Sequence, residues 1–161
     1  MKKFLSVVAV SAVLTAPVCA QDFDKGLAAH QAGDYATALQ EWRPLAEQGD
    51  YIAQYNLGFM YKNGEGVPQD YKEAASWYLK AAEQGYASAQ HNLGIMYDKG
   101  QGVPQDYVVA HMWYNISSAN GNENGGQNRD TLAKEMTPQD ISKAQVMARE
   151  CMSSGYKKCG F

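Results

Sequence analysis

A serine and a lysine near the end of the sequence have the spacing of a nucleophile and an activating base. Ser154 and Lys157 form a Ser-x-x-Lys motif, which in some acyl-transferring hydrolases places the two side chains together. In those enzymes the motif opens a helix, and Ser-Asp-Asn and Lys-Thr-Gly motifs accompany it. The sequence contains neither companion motif, so we expect no catalytic residue.

Histidines and glycine-rich loops are the next candidates for chemistry. The three histidines, His30, His91 and His111, are scattered and show no His-Glu-x-x-His or similar spacing. The glycines at 64 and 66 are not followed by Lys-Ser or Lys-Thr, so they do not form a phosphate-binding loop. The sequence therefore predicts no metal site and no cofactor.

The first 20 residues have the pattern of a cleavable export signal. Two lysines precede an apolar run over residues 4–16, and small residues supply a cleavage site after Ala20. The run is too short to span a membrane. We expect residues 1–20 to be a signal peptide and residues 21–161 to be a periplasmic or secreted protein, with no membrane insertion after cleavage.

Charge and cysteine content narrow the partners and the compartment. The chain has 14 basic and 17 acidic residues, a formal net charge of −3 and no basic run, so nucleic acid is not an expected partner. After the signal, the cysteines are Cys151 and Cys159. In an oxidising compartment the simplest account is one disulfide that ties down the carboxyl terminus.

One eight-residue segment, here called the phrase, occurs twice in the sequence. Residues 64–71 read GEGVPQDY and residues 100–107 read GQGVPQDY, 36 positions later. The same shift aligns the segments on both sides, so the repeat is a whole structural unit. The aligned pairs are Ala53 and Ala89, Leu57 and Leu93, Gly58 and Gly94, Met60 and Met96, Tyr61 and Tyr97, Trp77 and Trp113, and Tyr78 and Tyr114.

The repeated unit reads as two helices joined by the phrase. Apolar residues within 53–61 recur at helical spacing, and so do their copies 36 positions later. Gly58 and Gly94 fall inside these helices, where glycine costs about 1 kcal/mol relative to alanine. We expect each to mark a place where a neighbouring helix passes too close for a side chain.

The phrase itself stops one helix and starts the next. Gly64 and Gly100 follow the last periodic residues, as C-terminal glycines do, and the second glycine of each phrase permits another positive-φ turn. The residue before proline is held extended. Asp70 and Asp106 then stand where a helix N-cap is needed.

Degenerate copies flank the two clear units. The first has a tight Gly-Asp turn instead of the long phrase; in the last, residues 128–136 read as a short helix and Thr137 caps another. We expect residues 120–127 to be a loop or a frayed helix start. The expected fold is a single all-α domain of about four antiparallel helix pairs, at about 22–49, 50–85, 86–121 and 122–154, with a tail at 155–161.

The pattern AxxxLGxxYxxGxGVxxDxxxAxxWYxxAAxxG, which begins at Ala53 and again at Ala89, resembles the Sel1-like repeat, a relative of the tetratricopeptide repeat. The resemblance implies a right-handed α-solenoid whose concave face is lined by the first helix of each pair. It also implies binding of a protein or peptide, which for an exported chain includes envelope or cell-wall components. We expect the aromatic stripe of Trp42, Trp77, Trp113, Tyr61 and Tyr97 to be core.

The resemblance also implies which side chains form the concave binding face. They are Tyr55, Asn56, Phe59, Lys62, Asn63, His91, Asn92, Ile95, Asp98 and Lys99. Two interpretations of Asn56 and Asn92 stay open. Their amides could pair with the backbone of an extended peptide, or they could bond neighbouring helix ends as part of the fold.

An enzymatic alternative follows from the same resemblance. Some secreted, cysteine-rich members of this repeat family bind or hydrolyse β-lactams, and their repeats carry paired cysteines. Cys151 and Cys159 do not reproduce that pattern, and the Ser154 motif lies in the tail. We therefore expect a non-catalytic binding module, with a β-lactam-binding or β-lactamase-like hydrolase as the alternative.

Overall fold

Eight α-helices and one 3₁₀ turn are formed by residues 22–159, the part of the chain that the computed structural model describes. The expected signal peptide lies outside these residues, and the described range contains no strand. No helix within it is both long and apolar enough to cross a bilayer. The helices are α1 (Phe23–Gln31), α2 (Tyr35–Glu47), α3 (Tyr51–Asn63), α4 (Tyr71–Ala82), α5 (Ala87–Lys99), α6 (Tyr107–Ala119), α7 (Glu123–Leu132) and α8 (Pro138–Ser153), with the 3₁₀ turn at Ala133–Glu135.

The helices pack in chain order. α1 packs on α2, α3 on α4 and α5 on α6, and each second helix packs in turn on the first helix of the next unit. The last helix departs from this order, because α8 packs chiefly against α6. The predicted all-α solenoid is confirmed.

The repeated phrase has the predicted local structure. Gly64 and Gly100 end α3 and α5 in the left-handed region, at φ 72° and 64°. The side chains of Asp70 and Asp106 accept hydrogen bonds from the first backbone amides of α4 and α6. The phrase therefore ends one helix and caps the next in both copies.

The second glycine of each phrase also allows the loop to approach the preceding helix pair closely. A Cβ on Gly66 would lie 2.7 Å from the Cβ of Tyr35 at the start of α2. A Cβ on Gly102 would collide with the backbone of Tyr71 at the start of α4. Each loop therefore rests on the preceding helix pair, and only glycine allows that approach.

Close packing within a pair requires Gly58 and Gly94, as predicted. A Cβ on Gly58 would lie 2.7 Å from the ring of Tyr78, and one on Gly94 would collide with the ring of Tyr114. Both tyrosines are buried, with exposures of 0% and 2%. A ring from the second helix thus occupies the space that a side chain on the first helix would need.

Two buried glutamines join neighbouring pairs. Gln54 donates to the carbonyl of Ala46 at the end of α2, and Gln90 donates to the carbonyl of Ala82 at the end of α4, both at 3.0 Å. Each carbonyl also accepts from a backbone amide, that of Gly49 or Gly85, so the glutamine supplies its second hydrogen bond. No sequence pattern around the two glutamines indicates this role.

The tryptophans belong to the core, as predicted. Trp42, Trp77 and Trp113 are exposed by 2%, 6% and 0%. Tyr61 and Tyr97 are partly buried and pack against the same apolar clusters. The aromatic stripe therefore stabilises the pairs, although the edge of Trp42 also reaches a surface groove.

The end of the chain is held by the predicted disulfide. Cys151, in α8, is bonded to Cys159. Between them Tyr156 adopts φ 65°, and its hydroxyl lies 2.9 Å from the amide nitrogen of Asn120. The ring of Tyr156 also covers Gly85 in the α4–α5 turn. The tail is thus fastened to the second clear unit.

The expectation for residues 120–127 was wrong in part. α7 begins at Glu123, with Asn122 as its N-cap, and ends at Leu132, where the short helix was expected to continue to 136. Gly125 is buried, and a Cβ there would lie 2.9 Å from the Ser117 hydroxyl oxygen. The glycine-rich start is therefore helical because it packs closely on α6.

We expect Gly58→Leu and Gly94→Leu each to lower the free energy of unfolding by about 1–3 kcal/mol or more, because the added side chain over-packs against Tyr78 or Tyr114. Thermal unfolding followed by circular dichroism measures the effect. Ser76→Leu, at an exposed position on α4, is the control. Unchanged melting temperatures in both glycine variants would show that the helices are not closely packed at these glycines.

We expect residues 21–161, recovered from an oxidising compartment, to contain no free thiol after denaturation, since Cys151 and Cys159 are paired. Removing this short cross-link with a Cys151→Ser, Cys159→Ser variant should lower the free energy of unfolding by about 2–3 kcal/mol. Thiol titration and denaturant unfolding are the measurements. Two titratable thiols in the unmodified chain would contradict the pairing.

Candidate functional site

The first helices of successive units, α1, α3, α5 and α7, place their side chains on one surface, here called the first-helix face. His30 of α1 reaches Phe59 of α3, with ring centroids 6.2 Å apart. His91 of α5 reaches Asn128 of α7, with their nitrogens 3.0 Å apart. All ten residues predicted as concave-face contacts lie on α3 or α5.

An apolar groove of about 300 Å³, here called the N-terminal groove, lies between α1 and α3. Phe59, Tyr55 and Asn56 form the α3 side, and all three are partly buried. Leu27 forms part of the α1 side and is 38% exposed. Gln31 and the edge of Trp42 complete the wall, together with His30. The groove is lined by aromatic and aliphatic groups with a few amides, as small-molecule and side-chain pockets are.

The two matching asparagines have different surroundings. Asn92 donates to the carbonyl of Ser88 at 3.1 Å, and its side chain lies near the hydroxyl of Tyr55. Burial raises the pKa of that hydroxyl, and the nearby Asn92 amide acts in the opposite direction. Asn56 forms no side-chain hydrogen bond within residues 22–159 and lines the N-terminal groove. The structural interpretation therefore fits Asn92, and Asn56 keeps a free amide.

Three basic side chains meet between α3 and α5. Burial lowers the pKa of the Lys62 ammonium, and the nearby charge of Lys99 lowers it further. Burial likewise lowers the pKa of His91, and the charge of Lys62 adds to the effect. Lys62, Lys99 and His91 are here called the basic cluster, because the charge of Lys99 acts on Lys62 and the charge of Lys62 acts on His91.

A second groove, of about 310 Å³, lies between α5 and α7. Ile95, Asp98 and Lys99 line its α5 side. Asp98 accepts a hydrogen bond of 3.3 Å from the buried hydroxyl of Tyr114. Burial raises the pKa of Tyr114, and the charge of Asp98 adds to the rise. Asp98 is therefore engaged with its own helix pair rather than free for a ligand.

The structure brings most of the predicted residues into three neighbouring places. Tyr55, Asn56 and Phe59 share the N-terminal groove; Ile95, Asp98 and Lys99 share the second groove. Asn63 is exposed at the end of α3 and lines neither groove. Sequence reasoning missed the α1 contribution of Leu27, His30 and Gln31, because the first unit lacks the long phrase by which the others were aligned.

The Ser-x-x-Lys motif lies in a structural setting. Ser154 is the C-cap of α8, where its hydroxyl donates to the carbonyl of Cys151 at 2.7 Å and accepts from the amide of Lys158 at 3.0 Å. Lys157 is exposed. The serine hydroxyl thus closes a helix end inside the disulfide loop, and the structure gives no support to a hydrolase built on it.

The histidines occupy three separate environments. His30 contacts Glu65 at 2.7 Å, His91 belongs to the basic cluster, and His111 is 2% exposed within α6. No group of three His, Cys, Asp or Glu side chains in residues 22–159 is arranged to hold a metal ion. Nothing in the described range brings these imidazoles together.

The fold and its first-helix face define the class of protein as an α-solenoid of antiparallel helix pairs. Residues 52–86 and 87–122 match the model of the Sel1 repeat, so the chain contains two Sel1 repeats. Repeats of this kind generally mediate protein–protein interactions. A search of the curated proteins finds no match.

Two solved structures are similar to this chain. One is a protective antigen present in uropathogenic Escherichia coli strains, with an SLR fold; it is 32% identical with a TM-score of 0.77, over 81% of this chain and 30% of that one. The other is a Sel1 repeat protein from Oxalobacter formigenes, 39% identical with a TM-score of 0.59, over 62% and 29%. This chain therefore spans less than a third of either relative.

We expect the protein to lose stability as the pH falls below about 6.5, the ordinary pKa of histidine. Burial lowers the pKa of His111 in the folded state, and Arg129 adds to the effect while Asp130 opposes it. The unfolded chain therefore takes up a proton first, which favours unfolding until the pH reaches the folded-state pKa. Denaturant unfolding between pH 7.5 and 5 measures this slope.

His111→Leu is the matched variant, because it removes the titrating ring and keeps an apolar side chain in the core. Its free energy of unfolding should fall less steeply with decreasing pH than that of the unmodified chain. Parallel slopes for the two proteins would contradict the account of a buried, neutral His111.

Proposed function

We propose that this chain is an exported, non-catalytic repeat module that binds a protein or peptide partner through the first-helix face. The observation that carries the proposal is the free amide of Asn56 beside an apolar groove. A half-buried amide with no partner offers N–H donors and a carbonyl oxygen acceptor to an incoming backbone. Side-chain pockets next to such an amide provide the specificity of extended-peptide recognition.

Its compartment and partner follow from two further features. A disulfide such as Cys151–Cys159 persists in oxidising surroundings and is rare in the reducing cytosol. The expected signal peptide at residues 1–20 agrees with this location. We therefore infer a periplasmic or secreted protein whose partner is a protein or peptide of the cell envelope.

The enzymatic alternative has less support. A β-lactam hydrolase needs a serine whose hydroxyl is free to attack and a base within hydrogen-bond reach. The hydroxyl of Ser154 is bonded on both sides to the backbone of its own tail. Nitrocefin turnover by the purified chain that is lost in Ser154→Ala would establish the alternative.

Site-specific crosslinking tests the proposed surface. A photoreactive benzophenone amino acid replaces Gln31, exposed on the wall of the N-terminal groove, in one variant and Lys72, exposed at the start of α4, in the other. After expression with export and illumination in intact cells, we expect a discrete adduct from position 31 and none from position 72. Adducts from position 72 alone would place the binding surface elsewhere.

Single alanine variants then separate binding from folding. Asn56→Ala should weaken capture of the crosslinked partner about tenfold with an unchanged melting temperature, because its amide bonds nothing in the described chain. Asn92→Ala should also lower the melting temperature, because it removes the bond to Ser88 and the polar contact with Tyr55. Wild-type capture by Asn56→Ala would contradict the role given to that amide.

A further inference from the structure

The basic cluster contains two lysines without a counter-ion. The ion pairs found in residues 22–159 are Lys25 with Glu41, His30 with Glu65 and Arg129 with Asp130. None of them includes Lys62 or Lys99. Lys62 is only partly exposed, and withdrawing an ammonium group from water is unfavourable unless an anion compensates for the loss.

The carboxylates close to this surface already have partners. Glu65 accepts from His30 at 2.7 Å, and Asp98 accepts from the hydroxyl of Tyr114. Glu135 lines the second groove from the 3₁₀ turn, together with Asp98 and Lys99. Neither carboxylate forms an ion pair with Lys99, and no carboxylate in residues 22–159 forms an ion pair with Lys62.

Helix-end electrostatics explains only part of this arrangement. Lys62 and Lys99 lie in the last turns of α3 and α5, where a positive charge interacts favourably with the helix dipole. An exposed lysine would serve that purpose equally well. The dipole does not explain why Lys62 is partly buried next to Lys99 and His91.

The basic cluster is continuous with the N-terminal groove. Phe59, on the wall of the groove, precedes Lys62 by three positions on α3, so their side chains are neighbours on the same helix face, about 5–6 Å apart. In an extended peptide, side chains two positions apart point to the same side and are separated by about 6.6 Å. The peptide spacing exceeds the separation on the helix by about 1 Å, which the long, flexible lysine side chain can span.

We propose that the first-helix face recognises an extended peptide segment in which an apolar residue and an aspartate or glutamate stand two positions apart. The apolar side chain enters the N-terminal groove beside Phe59, and the carboxylate is bound by Lys62 and Lys99. The free amide of Asn56, one turn before Phe59 on α3, bonds the peptide backbone on the side of Phe59 that is away from Lys62. This inference rests on the proposed function and names the chemistry of its partner.

A peptide fits these features better than a purely anionic ligand does. Phosphate groups or an anionic polymer would satisfy the lysines, but they would leave the apolar groove and the Asn56 amide unused. The experiment therefore varies charge and apolar character separately, so that a general affinity for anions appears as its own result.

The test uses the chain from residue 21 onward and fluorescein-labelled hexapeptides in fluorescence polarisation at low ionic strength. The parent peptide carries Phe and Glu two positions apart among Gly and Ser. One matched peptide replaces Glu with Gln, another replaces Phe with Ala, and a third places Phe and Glu three positions apart. We expect each of the three to bind about tenfold more weakly than the parent, and added salt to weaken the parent.

Charge-reversal variants locate the carboxylate. Lys62→Glu with Lys99→Glu should weaken parent-peptide binding at least tenfold. Lys72→Glu with Lys143→Glu, at exposed positions on α4 and α8, changes the net charge equally and should leave binding within twofold. Circular dichroism spectra that match the unmodified chain confirm that both double variants are folded.

Three results would overturn the proposal: no binding of the parent peptide, equal binding of the parent and its Gln or Ala counterpart, or equal loss in the two double variants. Equal binding of the Ala peptide would identify a general anion site. The crosslinking at position 31 is independent of these results. A position-31 adduct together with peptide binding that ignores charge would leave the proposed function standing and reject only this ligand class.

Discussion

The contact between a mid-helix glycine and an aromatic ring sets the spacing on which the rest of the solenoid depends. Gly58 receives the ring of Tyr78, Gly94 receives that of Tyr114, and a Cβ on Gly26 of the first pair would lie 2.5 Å from Trp42. In each case the first helix has a glycine at the contact, and the second helix buries a large aromatic ring against it. The glycine costs about 1 kcal/mol of helix propensity, and burial of the ring offsets that cost.

The glycine–ring contact also determines the arrangement of surface residues, because it recurs in successive units. With the distance between paired helices fixed, the loops can rest on the preceding pair through Gly66 and Gly102, and Gln54 and Gln90 can bond the preceding helix ends. The first helices are thereby held side by side. Residues that are 36 positions apart in sequence then become neighbours on one face.

Much of the fold was predictable because its signals are local and repeated. The 36-residue shift, the capping aspartates and the two mid-helix glycines define the pairs without any knowledge of tertiary contacts. The start of α7 was not predictable in this way. Its Gly125 has poor helix propensity, and only its close approach to Ser117 on the neighbouring helix explains why the segment is helical. Tertiary packing there overrides the local preference.

The candidate site was predictable in position but not in detail. Equivalent positions in a repeat need not have equivalent partners: Asn92 has Ser88 and Tyr55 within reach, whereas Asn56 faces an open groove. Lys62 likewise corresponds to Asp98, so the second unit places a carboxylate bound to Tyr114 where the first places a partly buried ammonium. The asymmetry between units, which alignment conceals, gives the face its charge pattern.

A double-mutant cycle between Gly58 and Tyr78 tests the central claim most directly. If the glycine exists to accommodate the ring, Gly58→Ala lowers the free energy of unfolding in the unmodified chain. In the Tyr78→Ala background the same change should be neutral or stabilising by up to about 1 kcal/mol, because the clash is gone and alanine is the better helix former. The account predicts a coupling energy of about 0.5–3 kcal/mol. An equal effect of Gly58→Ala in both backgrounds would contradict it.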